Sequence, residues 1–93
     1  MNAGKMELQQ SLIEYPCDFP IKVFGRSQEG FAKAVMQVVK RHDPDFKPAS
    51  IEMRSSSGGR YVSLTCTVRA TSREQLDALY QDLCDHPMVA TVL

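Results

Sequence analysis

Two short runs hold the residues best suited to chemistry, Arg26-Ser27-Gln28 and Ser55-Ser56-Ser57-Gly58-Gly59-Arg60. An arginine grips a carboxylate or phosphate through two parallel hydrogen bonds. The free N–H groups at a helix N-terminus also favour an anion, and Ser27 has the side chain of a helix N-cap. Gly58 and Gly59 let a backbone approach a ligand closely. Arg26, Ser27, Gln28, Ser57, Gly58, Gly59 and Arg60 therefore form a candidate site for a small anionic ligand. The bland alternative is two solvated arginines, a helix cap and a hairpin turn.

Other chemistry finds less support. Gly25 and Gly30 are spaced like the outer glycines of a phosphate loop, but Phe31-Ala32 follows instead of Lys-Ser or Lys-Thr. Cys84-Asp85-His86 brings together metal-binding and nucleophilic residue types without an evident fourth ligand, and a helix end capped by His86 is the simpler reading. His42 reads as a partly buried residue at a helix end. Cys17, Cys66 and Cys84 match no metal motif or redox pair, and three cysteines cannot all pair within one chain. They read as reduced thiols of a cytoplasmic protein. No catalytic residue, metal or cofactor is assigned.

The elements that must position these residues follow from periodicity. Phe19 to Gly25 alternates as a strand. Phe31, Val35, Val38, Val39 and His42 share one face of a helix that begins after Ser27 and stops before Pro44. Lys40, Arg41 and His42 late in this helix suit its dipole. A second strand is expected over Ala49 to Arg54, then a Ser/Gly turn. Arg60 to Ala70 alternates most cleanly, as in an antiparallel sheet with one wet face. Thr71-Ser72-Arg73-Glu74 matches a capping box, and Ser72 with Gln75 offers an overlapping one. Leu76, Leu79, Tyr80 and Leu83 stripe the second helix. Met88 to Leu93 is a last strand in which both registers are largely apolar. The N-terminal residues 1–16 read as a tail, with Leu8, Leu12 and Tyr15 at helical spacing before Pro16. Residues 17–93 read as one domain.

This order, β-α-β-β-α-β, predicts an α+β fold: a ferredoxin-like sandwich with a four-stranded antiparallel sheet in the order 4-1-3-2 and two helices on one face. In that topology Arg26-Ser27, Ser55 to Arg60 and Asp85-His86 meet at one end of the domain. Phe24 and Tyr61 become neighbours on the open sheet face. Lys22, Phe24, Tyr61 and Arg69 on that face form a candidate surface for a protein partner.

The 93 residues carry 11 Lys plus Arg against 11 Asp plus Glu. Zero net charge argues against nucleic acid, whose backbone demands a basic surplus. An RNA-recognition domain uses aromatics on the same two strands, but Arg60 to Thr67 holds only Tyr61. No stretch reaches the ~18 apolar residues of a membrane span, and Met1 to Gln10 shows no apolar signal-peptide core. Acylphosphatases share this size and topology, yet they position water with a sheet asparagine. Here the only asparagine is Asn2.

Leu12-Ile13-Glu14-Tyr15-Pro16, Phe19, Lys22 to Gly25, Val38 to His42, Ser56 to Ser63, Glu74-Gln75, Leu79-Tyr80 and Val92-Leu93 together resemble the YbeD-like family of small bacterial proteins. The resemblance spans about residues 8 to 93. It implies a ferredoxin-like fold similar to ACT regulatory domains, which bind amino acids near the turn after the first strand. It also implies a link to lipoate metabolism through genomic neighbourhood, and a candidate homodimer by analogy with ACT pairing. It carries no catalytic residues with it. The reading it favours is a small regulatory module that senses an anionic metabolite such as an amino acid. The alternative is a protein-interaction adaptor without a small ligand.

Overall fold

The computed structural model describes residues 14–93. The helix expected around Leu8 and Leu12 lies outside them. Four strands and two helices follow in order: β1 (Cys17–Arg26), α1 (Phe31–His42), β2 (Glu52–Ser55), β3 (Tyr61–Ala70), α2 (Arg73–Asp85) and β4 (Val89–Val92). The sheet order β2-β3-β1-β4 is the expected 4-1-3-2 read from the other edge, and every pair is antiparallel. Among the described residues no helix is long and apolar enough to cross a membrane.

β1 and β3 pair over ten residues, from Cys17↔Ala70 to Arg26↔Tyr61. Their alternation sends Ile21 and Val23, with Val62, Leu64, Cys66, Val68 and Ala70, into one core beneath the helices. Phe31, Val35, Val38 and Val39 of α1 and Leu76, Leu79 and Leu83 of α2 close it. Tyr15 packs against this core although it precedes β1. The other sheet face, with Lys22, Arg26, Glu52, Arg54, Tyr61 and Arg69, is open.

Two local expectations are corrected and one pair of alternatives is decided. Ser27 does not cap α1. The helix starts at Phe31 behind Gly30, which sits in the left-handed region at φ 86° without a side-chain cap. The reason lies in the sheet: the Ser27 N–H still belongs to the β1–β3 ladder, donating to Arg60 O at 2.8 Å. The second strand begins at Glu52, because Pro48 opens a single 3-10 turn over Pro48–Ser50. At the second helix the expected Ser72–Gln75 pairing forms, with Ser72 as the N-cap and Gln75 reaching back one residue beyond it. Ser72 Oγ accepts from Gln75 N at 3.1 Å, and Gln75 Oε1 accepts from Thr71 N at 2.6 Å.

The last strand explains its own ambiguity. A register shift between Phe24 and Gly25 pairs Gly25 with Val89. Val89 and Val92, three residues apart, therefore both pack against the core, and strict alternation cannot describe the strand. Gly25 also lies directly under Phe31. A Cβ there would stand 2.4 Å from Phe31 Cε1 and 2.6 Å from Met88 O.

Side chains complete the sheet where β2 runs out. β2 reaches only Thr65 of β3, so the peptide groups of Arg69 face no strand on that side. The buried carboxylate of Asp43 accepts from Arg69 N at 2.9 Å, and Gln75 Nε2 donates to Arg69 O at 3.1 Å and to His42 O at 2.7 Å. Nearby, His42 Nε2 meets Asp82 Oδ2 at 2.6 Å and ties α1 to α2.

Candidate functional site

The β1–α1 connection and the β2–β3 hairpin meet at one end of the sheet, as the topology predicts. Arg26 is the Cα partner of Tyr61, and the Ser27–Arg60 backbone bond joins the two segments. Arg26, Ser27, Arg60 and Tyr61 line a surface concavity of about 400 Å³. Among the described residues neither guanidinium forms an ion pair. Two permanently charged, exposed forks thus face solvent beside a backbone that holds their Cα positions in register.

Gln28 falls elsewhere. It lies with Ser27, Glu29, Gly30, Phe31, Ala32 and Lys33 along a second concavity of about 370 Å³, closed on the far side by Met53, Ser55 and Val62. Ser27 belongs to both hollows. Ser57, Gly58 and Gly59 form the hairpin turn and line neither of these two. Gly59 takes φ 70°, and its N–H donates to Ser56 O at 2.9 Å. Its glycine character serves the turn. Ser56 Oγ accepts from Tyr61 N at 3.2 Å, which fixes the hairpin base beside the arginines.

The open-face residues divide as well. Phe24 pairs with Ser63, one step diagonal from Tyr61, and the two aromatics share a shallow hollow of about 150 Å³ with Arg54, Ser55, Ser56 and Ser63. Lys22 lies two residues further along β1. Arg69 stands roughly 27 Å from Tyr61 by strand rise, where it meets Asp18 Oδ1 at 3.3 Å. A single small contact patch does not include it.

Asp85-His86 sits at the same end as the arginines, since Gly25 pairs with Val89 just after that turn. His86 closes α2: its N–H donates to Leu83 O, and its Nδ1 accepts from Met88 N at 3.1 Å. Asp85 accepts from Gln81 at 2.9 Å. Cys84 is exposed, Cys17 half-buried and Cys66 buried. Burial pushes the Cys66 thiol up to about 11, which keeps it protonated and inert as a nucleophile at neutral pH. Sequence reasoning missed Asp43 and the full role of Gln75. The Asp43-Pro44 pair signals a turn, but the ladder groups these side chains satisfy appear only once β2 is seen to stop.

Comparison with known proteins extends the picture. A family profile described as "Protein of unknown function (DUF493)" matches residues 10–93. The UPF0250 protein NE1487 of Nitrosomonas europaea is 60% identical over 85 residues, covering 91% of this chain and 98% of that protein. A UPF0250 protein of Bordetella pertussis is 61% identical over 85 residues, covering 91% of this chain and 93% of that protein. Among solved structures, the solution structure of HP0495 from H. pylori matches with a TM-score of 0.66 at 18% identity, over 87% of this chain and 85% of that one. The ACT domain from GTP pyrophosphokinase of Chlorobium tepidum matches with a TM-score of 0.56 at 17% identity, over 83% and 97%. At these identities the two structural likenesses concern the fold. The sequence matches agree with the resemblance seen in the residues, and the chain belongs to the DUF493 (UPF0250) family, with an ACT-like, ferredoxin-like fold.

Proposed function

We propose that the chain is a non-enzymatic regulatory module that senses a small carboxylate-bearing metabolite, such as an amino acid, at the Arg26–Arg60 end of the sheet. One observation carries the reading: two exposed arginines without ion-pair partners among the described residues line one concavity, on segments locked by the Ser27–Arg60 backbone bond. A carboxylate there gains charge-assisted hydrogen bonds from one or both guanidiniums. The Ser27 hydroxyl and the Tyr61 phenol flank it and can orient a second polar group. The ACT-like fold is compatible with such a role but does not transfer a ligand. Titrating a panel of amino acids into isotopically labelled protein tests the proposal. It expects amide shifts confined to residues 25–30 and 55–61. Silence in both segments at millimolar ligand removes it.

A second reading rests on the Phe24–Tyr61 hollow, where two aromatics lie on an otherwise polar sheet face. A protein partner would insert an apolar side chain there, with Lys22 at the margin. A pull-down that keeps its partner after Phe24→Ala plus Tyr61→Ala excludes this face.

A further inference from the structure

We infer that β2 is the seam through which two copies of the chain join their sheets. β2 is an outer strand of the sheet. Ser56 N donates to Tyr61 O, and the register Arg54↔Ser63, Glu52↔Thr65 continues that phase. Arg54 and Glu52 therefore turn their peptide groups toward β3, while Met53 and Ser55 turn theirs outward. Edge strands are commonly guarded by proline, a bulge or an inward-pointing charge. β2 is short and carries two charges, but it has no proline, bulge or inward-pointing charge: its sequence is Glu-Met-Arg-Ser and its pairing with β3 is unshifted.

The side chains select the occupant. On the open face Glu52 and Arg54 carry opposite charges two positions apart, and neither forms an ion pair among the described residues. On the helix side Met53 is 59% exposed. It borders an apolar groove of about 290 Å³ with Ala32, Lys33, Met36, Pro48 and Ile51. A two-fold axis through Met53 sets Met53 against Met53 of the second copy, and the two exchange both backbone hydrogen bonds. Ser55 N–H then donates to Ile51 C=O of the second copy. Ile51 suits this acceptor role, because its own N–H already serves Pro48 O at 3.2 Å.

Glu52 falls opposite Arg54 of the second copy, and Arg54 opposite Glu52, in close non-hydrogen-bonded pairs where opposite charges stabilise a sheet. The other registers allowed by the outward peptide groups centre on Ile51, Glu52, Arg54 or Ser55. The first and last set the two charges against Ser50 and Pro48 or against Gly58 and Ser56, and the middle two set Glu52 against Glu52 or Arg54 against Arg54. The charge pattern is thus self-complementary in one register only, as an isologous interface requires.

Sedimentation equilibrium on the full chain, from micromolar to millimolar, tests the inference. A reversible monomer–dimer equilibrium is expected. Glu52→Arg or Arg54→Glu each replaces two attractions by two repulsions and raises the dimer Kd roughly tenfold or more. The double charge swap Glu52→Arg/Arg54→Glu restores it to within about threefold, because the pattern is again self-complementary. Met53→Pro deletes an N–H that points away from β3, so circular dichroism stays native while the dimer is lost. A chain that is monomeric up to millimolar concentration overturns the inference. So do single reversals that leave Kd unchanged, a double swap that fails to rescue, or a native-like Met53→Pro variant that still dimerises.

Discussion

Gly25→Ala is expected to be among the most damaging single-methyl additions in the described chain. The added carbon would lie 2.4 and 2.6 Å from two ring atoms of Phe31 and 2.6 Å from Met88 O. Optimal carbon contacts lie near ~3.5–4.0 Å, so something must move by about 1 Å. Phe31 is only 2% exposed and anchors α1 against Val35 and the sheet. Met88 O is backbone and belongs to the turn that launches β4. Neither can yield by rotating a free side chain. Overpacking of this kind costs about 1–3 kcal/mol, and the upper end applies because both neighbours are constrained. A domain of this size has a total stability of about 5–14 kcal/mol. With a urea m-value near ~1 kcal/mol/M, the unfolding midpoint should fall by about 2–3 M. Urea unfolding followed by circular dichroism measures it. Phe31→Leu in the same background should recover part of the loss. A Gly25→Ala midpoint within about 0.5 M of the parent refutes the packing argument.

Three further outcomes follow from the same structure. Asp43→Ala leaves the Arg69 N–H without its buried acceptor and should cost about 1–3 kcal/mol, whereas Asp43→Asn keeps an acceptor and should cost less; thermal melts distinguish them. Gln75→Ala removes partners from Thr71 N, His42 O and Arg69 O at once, and amide exchange at Thr71 should accelerate more than at Leu64 in the sheet centre. Cys66 titrates at about 11 when folded, above the ordinary thiol value. The folded state therefore binds this proton more tightly than the unfolded chain, and the contribution is complete below about pH 8.5 and declines as pH rises toward 11. Up to about 3 kcal/mol should disappear across that window, and a Cys66→Ala variant should show a correspondingly flatter alkaline profile.

The fold was legible wherever one face is wet and the other buried. β3 alternates from Val62 to Ala70 without interruption, and α1 writes its stripe from Phe31 to Val39, because burial acts on one side only. The start of α1 was not legible from Ser27. That residue resembles a cap, but its N–H is held by a strand far away in sequence. Gly30 before the apolar stripe was the usable signal, since the chain turns there through a left-handed residue. The inward face of β4 stayed open for a physical reason: a bulge lets Val89 and Val92 both reach the core. The candidate site was legible as a meeting of segments, because topology alone brings Arg26 beside Arg60. Its division into two hollows was not, since exposed side chains leave no periodic trace. Gln28 and Ser57 to Gly59 accordingly fall outside the hollow that the two arginines share. Arg69 likewise belongs to an ion pair with Asp18 at the opposite end of the sheet.

The most direct measurement is an amide-shift titration comparing the parent chain with Arg26→Gln, Arg60→Gln and the double variant, using free amino acids and the matched amino-acid amides, which keep the ammonium group but lack the carboxylate. Saturable shifts are expected at Arg26, Ser27, Arg60 and Tyr61 with the carboxylates and none with the amides. Each single substitution should weaken binding about 10–100-fold, and the double variant should abolish it while its spectrum elsewhere remains that of the parent. Shifts that survive in the double variant, or that centre on another part of the fold, would contradict the proposed site.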